Sequence, residues 1–184
     1  MEGKIVFEGT TTDGVNYIIR YPKRDDVRGL LEYINTLSRE QTFIALQGEQ
    51  LTLEEEEKFL NGRLEGIAKK KAVMLVVTVA NQIVGVSGID MHKGVGSHVG
   101  GLGISVAKEM RGKGIGKKLM ELIIKEAVSK IPQLKIVTLS LLANNDVASS
   151  LYKKLGFIEY GLLPKGTLRK HTYVDHIFMY KKVR

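Results

Sequence analysis

The strongest constraint in this chain is a β-rich run that ends in a glycine-rich turn and reopens as an amphipathic helix. Leu102-Gly103-Ile104-Ser105-Val106 reads as a strand, and glycines at 112, 114 and 116 follow within a basic segment. From about Gly114 to Lys130, Ile115, Leu119, Leu122, Ile123 and Ala127 recur at helical spacing. A helix that begins at glycines leaves backbone N–H groups without partners at its positive end, which is a ready anion site. Arg111, Lys113, Lys117 and Lys118 add charge around it. Counting excludes two common phosphate motifs. A P-loop needs Ser or Thr where Lys118 stands and glycine where Arg111 stands. A dinucleotide fingerprint needs glycine where Lys117 or Leu119 stands.

The rest of the chain supplies a mixed α/β pattern. Lys4–Phe7 and Tyr17–Arg20 flank Asp13-Gly14, a hairpin signal. A helix is expected from about Arg24 to Ser38, with Val27, Leu30, Leu31, Ile34 and Leu37 on one face. Thr52 and Glu55 have capping-box spacing for a second helix ending near Lys69, which would turn Phe59, Leu60, Leu64 and Ile67 inward. Its acidic run Glu54–Glu57 is read as a solvated first turn. Strands are expected at Val73–Val79, Ile83–Ile89 and Ile136–Leu141. Asn144-Asn145-Asp146 caps a short helix to Leu155, and two further strands span Phe157–Leu163 and Thr172–Met179. The sum is one domain over residues 1–184 with a short N-terminal β-hairpin extension, about 1–16.

Composition narrows the chemistry. The chain has 184 residues, a formal net charge of +8 and no cysteine. The charge favours an anionic partner. The missing cysteine excludes disulfides, thiolate metal sites and a cysteine nucleophile. His92, His98, His171 and His176 form no recognised ligand pattern, so no metal is expected. The amino terminus lacks the apolar stretch of a secretion signal. The run Ala72–Val86, broken by Asn81-Gln82, is too short to span a bilayer. A cytoplasmic protein without a membrane segment is expected. A nucleic-acid binder is disfavoured, because no aromatics interleave with the bases around the loop.

Three segments together resemble the GNAT acetyltransferase superfamily. Arg111-x-x-Gly114-x-Gly116 is similar to its acyl-CoA pyrophosphate loop. Asn145-x-x-Ala148 and Leu151-Tyr152-x-x-x-Gly156-Phe157 are similar to its downstream signatures. The resemblance implies an α/β GNAT fold: a mixed, mostly antiparallel central sheet with splayed middle strands and helices on both faces. It implies acetyl-CoA as cosubstrate and an amine as acceptor, with a homodimer compatible. Backbone amides from Gly112 through Lys113, Gly114, Ile115 and Gly116 to Lys117 would hold the pyrophosphate. Ile104, Ser105 and Val106 would line the pantetheine arm, the Val106 N–H polarising the thioester carbonyl. Asn145 and Ala148 would steady the arm, and Tyr152 would give a proton to the departing thiolate.

Direct attack of an amine on a thioester needs no protein nucleophile, which suits a chain without cysteine. Relatives often carry a glutamate where this chain has Gly101, so water, His98, Asp90 or Glu32 is left as the base. Glu40 and Phe43 sit where the family's first loop meets its acceptor, and Asp175 resembles an acidic position of several relatives. Ordinary loop and strand roles stay open for all three. A non-catalytic acyl-CoA-binding module is the alternative from a different class.

Overall fold

The Asp13-Gly14 turn reverses the chain as read, with Thr11 Oγ accepting the Val15 N–H and donating to Asp13. It joins β1 (Ile5–Thr10) to β2 (Asn16–Arg20). In this computed structural model, which describes residues 1–184, the hairpin continues directly into the main sheet. Ile18–Arg20 pair with Val76–Thr78 of β3 (Ala72–Val79). The sheet goes on through β4 (Gln82–Met91), β5 (Val99–Val106), β6 (Ile136–Leu142), β7 (Ile158–Arg169) and β8 (Thr172–Lys182). Its order is β1-β2-β3-β4-β5-β6-β8-β7. Every neighbouring pair is antiparallel except β5–β6.

Four helices cover the sheet: α1 (Val27–Arg39), α2 (Leu53–Ala68), α3 (Ile115–Lys130) and α4 (Asp146–Lys154). Strand alternation in β2 sorts them between the two faces. Tyr21 points to one side, where its hydroxyl donates to Glu126 of α3 at 2.7 Å. Arg20 points to the other and bonds both oxygens of Asp26 at the entrance to α1, each at 2.7 Å. α2 lies antiparallel beside α1, tied by Arg24 to Asn61 at one end and by Asn35 to Leu51 at the other. β3 lies between the two layers, and all but its last residue is buried. Each such apolar side chain contributes about 1.5–3 kcal/mol through burial. The α3 stripe of Ile115, Leu119, Met120, Ile123 and Ala127 is fully buried. No helix is long and apolar enough to cross a membrane.

Three expectations are corrected. In α2 the inward stripe is Glu56, Leu60, Leu64 and Ile67, whereas Phe59 is turned out and lies 4.8 Å from the Arg63 guanidinium. Glu54, Glu55 and Glu57 are the solvated first turn, but Glu56 is 3% exposed. The last two strands also run farther than read. β7 crosses Pro164-Lys165-Gly166 through a bulge between Leu163 and Thr167, with the Lys165 N–H held by Asp175 at 2.8 Å. The bulge absorbs the proline, so the strand does not end there.

Candidate active site

The parallel pairing of β5 with β6 is confined to Val99–Gly101 against Ile136–Thr138. Beyond those rungs the strands diverge, leaving one side of Leu102–Val106 unpaired. The bonds Ala107 N–H to Val84 O and His92 N–H to Val99 O fix the phase of the β4–β5 ladder. Alternation then gives the N–H of Ser105 and Gly103 to β4 and turns those of Leu102, Ile104 and Val106 into the gap. Of Ile104, Ser105 and Val106, the first and third therefore present backbone there. Opposite them, the Ala143 to Asp175 bond sets β6 so that Ser140 and Leu142 face the gap.

The glycine-rich loop stands at the mouth of this gap. Gly112 and Gly114 have φ of +73 and +87, and Gly114 is the residue from which α3 starts. None of the six backbone N–H groups from Gly112 to Lys117 donates to a protein acceptor. A β-carbon on Gly112 or Gly114 would meet nothing within 4 Å. Converging donors, the positive end of a 16-residue helix and open space make an anion cradle.

The side chains around the loop do different work from their sequence reading. Arg111 is a brace. Its Nε donates to Val106 O at 2.9 Å and a terminal nitrogen pairs with Glu40 at 2.8 Å. Lys113 pairs with Asp13 of the first hairpin at 2.7 Å. Lys117 is the most exposed of the loop's lysines, and it borders a groove of about 600 Å³ that continues along α4 past Val147, Ser150, Leu151 and Lys154.

α4 contributes the remaining expected residues. Asn145 caps it by accepting the Ala148 N–H at 3.2 Å, so both are fixed at its first turn. Tyr152 is 8% exposed, its ring centroid 6.1 Å from that of Phe157. Burial pushes its hydroxyl up to about 12, so at neutral pH it holds its proton. Burial also raises Tyr17, Tyr21 and Tyr33, the Glu126 carboxylate adding to the effect at Tyr21. The folded chain thus retains tyrosine protons that the unfolded chain releases near pH 10. This stabilisation is intact below about pH 10 and is lost as pH rises through the folded values. Urea unfolding from pH 9 to 12, followed beside phenolate absorbance, is expected to show falling stability only above about pH 10.

The opposite face of the gap is lined from α1 and the C-terminal hairpin. The Tyr33 hydroxyl donates to Ser105 Oγ at 2.9 Å, which places α1 over the end of β5. Arg169 of β7 donates to Gln41 O at 2.8 Å and Thr42 O at 3.3 Å, and its guanidinium lies 4.3 Å from the Phe43 ring centre. The loop between α1 and α2 is therefore held by Arg111 on one side and Arg169 on the other. Asp175 anchors the β7 bulge, and His176 stacks on Phe178 with ring centres 5.1 Å apart. Neither Tyr33 nor Arg169 was legible as a site residue. Tyr33 follows Leu30 at helical spacing, the one local signal that it faces inward.

The bases left open by the sequence fare poorly. Glu32 and His98 are exposed, and Asp90 is paired with Arg63 of α2. At Gly101 a β-carbon would lie 3.5 Å from His92 Nε2.

Comparison with known proteins fits this geometry. Residues 70–159 match the family model described as Acetyltransferase (GNAT) domain. No curated protein matches the sequence. Among solved structures, the chain is similar to a GNAT-family acetyltransferase from Streptococcus pneumoniae at 27% identity and a TM-score of 0.83, over 91% of this chain and 99% of that one. A ribosomal-protein-alanine N-acetyltransferase from Brucella melitensis has 24% identity and a TM-score of 0.78, over 90% and 99%. The microcin self-immunity acetyltransferase, solved with acetyl-CoA and AMP, has 18% identity and a TM-score of 0.72, over 91% and 92%.

Proposed function

We propose, from the match of residues 70–159 to the GNAT acetyltransferase domain model, that the chain moves an acetyl group from acetyl-CoA to a primary amine by direct attack within a ternary complex. The acceptor is the amine of a protein N-terminus, a lysine or a small molecule. One observation carries the reading: six unpartnered N–H groups at the start of α3, beside a gap edged by unpaired strand backbone. Acetyl-CoA bound to the microcin relative supports the donor's identity.

Each part of the site has a task in that reaction. Gly112 to Lys117 hold the pyrophosphate through backbone N–H groups and the α3 dipole. The N–H and C=O groups of Leu102 and Ile104 pair with the amides of the pantetheine arm as a neighbouring strand would. The Val106 N–H donates to the thioester oxygen as negative charge develops on it, an electrostatic effect strongest where water is excluded. Arg111 fixes the end of β5 by holding the Val106 carbonyl. Tyr152, protonated at neutral pH, gives its proton to the leaving sulfur.

Calorimetric titration with acetyl-CoA, with ATP and NAD as controls, tests the reading. Saturable binding of acetyl-CoA alone is expected; a folded protein that does not bind it overturns the assignment. Affinity is also expected to fall with salt. Between about 0.1 M and 1 M ionic strength the screening length shrinks from about 10 Å to about 3 Å, which weakens a largely ionic and dipolar anchor. Salt-independent affinity points to a contact away from the loop.

A further inference from the structure

Glu56 is the one carboxyl on the inward stripe of α2, and the functions assigned above leave it unused. It is 3% exposed, forms no ion pair and accepts no hydrogen bond. Its oxygens nonetheless keep some solvent contact, since the only side-chain polar atom that is both shut away and unpartnered is Gln47 Oε1. A carboxylate held this way is costly unless something outside the protein completes it. Burial also raises its pKa.

Its position follows from its helix. Arg63, seven residues on and on the same side of α2, reaches Asp90 of β4. α2 turns tightly into β3, with Lys71 N–H on Gly66 O, so it runs antiparallel to β3 and in the same direction as β4. Seven residues of helix measure about 10 Å, or about three strand residues. Stepping back from Asp90 by that length reaches Ser87, whose partner on β5 is Ile104. Measured along the strands, Glu56 is thus level with Ile104, on the face of the sheet from which Tyr33 reaches Ser105. Above Gly103 a β-carbon would meet nothing within 4 Å. Tyr33 of α1 covers Ser105 from the same side.

Resting on the acetyltransferase reading, we propose that Glu56 is the group that receives the acceptor's ammonium and takes its proton. The carboxylate binds the cation, accepts one proton and passes it to solvent. The freed nitrogen attacks the thioester carbon, forming C–N. As C–S breaks, Tyr152 protonates the sulfur, and the amide nitrogen's second proton returns to Tyr152 through water. One proton is released per turnover.

The other titratable groups on this face are either paired or exposed: His92, whose Nε2 lies near Gly101, and Glu109, whose charge acts on Tyr33, are both open to solvent. Asp90 is held by Arg63 and Glu40 by Arg111. The Tyr33 hydroxyl donates to Ser105 and stays protonated because burial raises its pKa. Arg28, Glu32 and Arg39 of α1 and Glu55, Glu57 and Lys58 of α2 are exposed, and β3 and β5 bring no titratable side chain.

The test compares wild type, Glu56→Gln and Glu56→Asp with n-butylamine and an alanine-terminated pentapeptide as probe acceptors. Glu56→Gln is expected to lower kcat/KM about 100-fold at neutral pH. The deficit should shrink as pH approaches the amine's own pKa, where the nitrogen arrives neutral, and Glu56→Asp should recover part of the rate. Acetyl-CoA affinity and melting temperature should hold. A Gln variant with the wild-type rate and pH profile overturns the proposal while leaving the acetyltransferase reading intact. Wild type that fails to bind acetyl-CoA overturns both. If neither probe is acetylated, the Glu56 carboxyl carbon is followed by NMR in the CoA complex. Adding n-butylammonium is expected to shift that signal, and an unmoved signal overturns the proposal.

Discussion

Gly114→Val is expected to lower acetyl-CoA affinity about 100-fold, equivalent to about 3 kcal/mol. Gly114 has φ +87, a region closed to a β-branched residue at ordinary cost. Valine therefore either strains the turn by about 1–3 kcal/mol or pulls it toward negative φ. In the second case the donors from Gly112 to Lys117 cease to converge. In the first, the new β-carbon projects into the open space where the phosphate oxygens must approach. Both routes reduce binding, and melting temperature separates them. Strain retained in the fold lowers it by about 2–4 °C per kcal/mol in a chain of this size, whereas a relaxed loop leaves it nearly unchanged. Gly114→Ala, smaller and still strained, should fall between the two. Wild-type affinity in a folded Gly114→Val protein would remove the loop from the cofactor site.

Tyr152→Phe should lower kcat by about 100-fold or more while leaving acetyl-CoA affinity close to wild type. Phenylalanine keeps the packing against Phe157 and removes only the proton donor. Loss of kcat with an intact Kd is what separates an acid from a core residue, because a packing defect would disturb α4 and with it the Asn145 cap. An unchanged turnover number removes Tyr152 as the acid. Thioesters with more acidic thiols should narrow the gap between variant and wild type, since a better leaving group needs less protonation.

The parts of the fold legible in the sequence were those governed by local periodicity and turn chemistry. The glycine loop, the α3 stripe, the Thr52 capping box and the Asp13-Gly14 turn each depend on residues within one helix length. The strand readings failed where tertiary packing overrode the local signal. Pro164 and Gly166 look like a stop, yet Asp175 across the hairpin supplies the bond that lets β7 continue. Glu56 reads as one of four solvated carboxylates, and only the placement of α2 against the sheet singles it out. Arg111 and Lys113 show the same limit. Their charge was evident, but their partners Glu40 and Asp13 lie far off in sequence, so their bracing was not.

The short β5–β6 seam has a bearing on how this chain avoids aggregation. Most sheets keep their exposed edges at the outside, where charge, proline or a bulge can blunt them. Here Leu102–Val106 forms an additional edge in the interior of the sheet, beyond three rungs of pairing. Any extended backbone able to enter can pair with it. β6 diverges from it, loops braced by Arg111 and Arg169 stand beside the gap, and six unpartnered N–H groups lie at its mouth. If the pantetheine arm lies in this gap as proposed, the cofactor would itself cap the inner edge, so that acetyl-CoA binding would serve both catalysis and solubility.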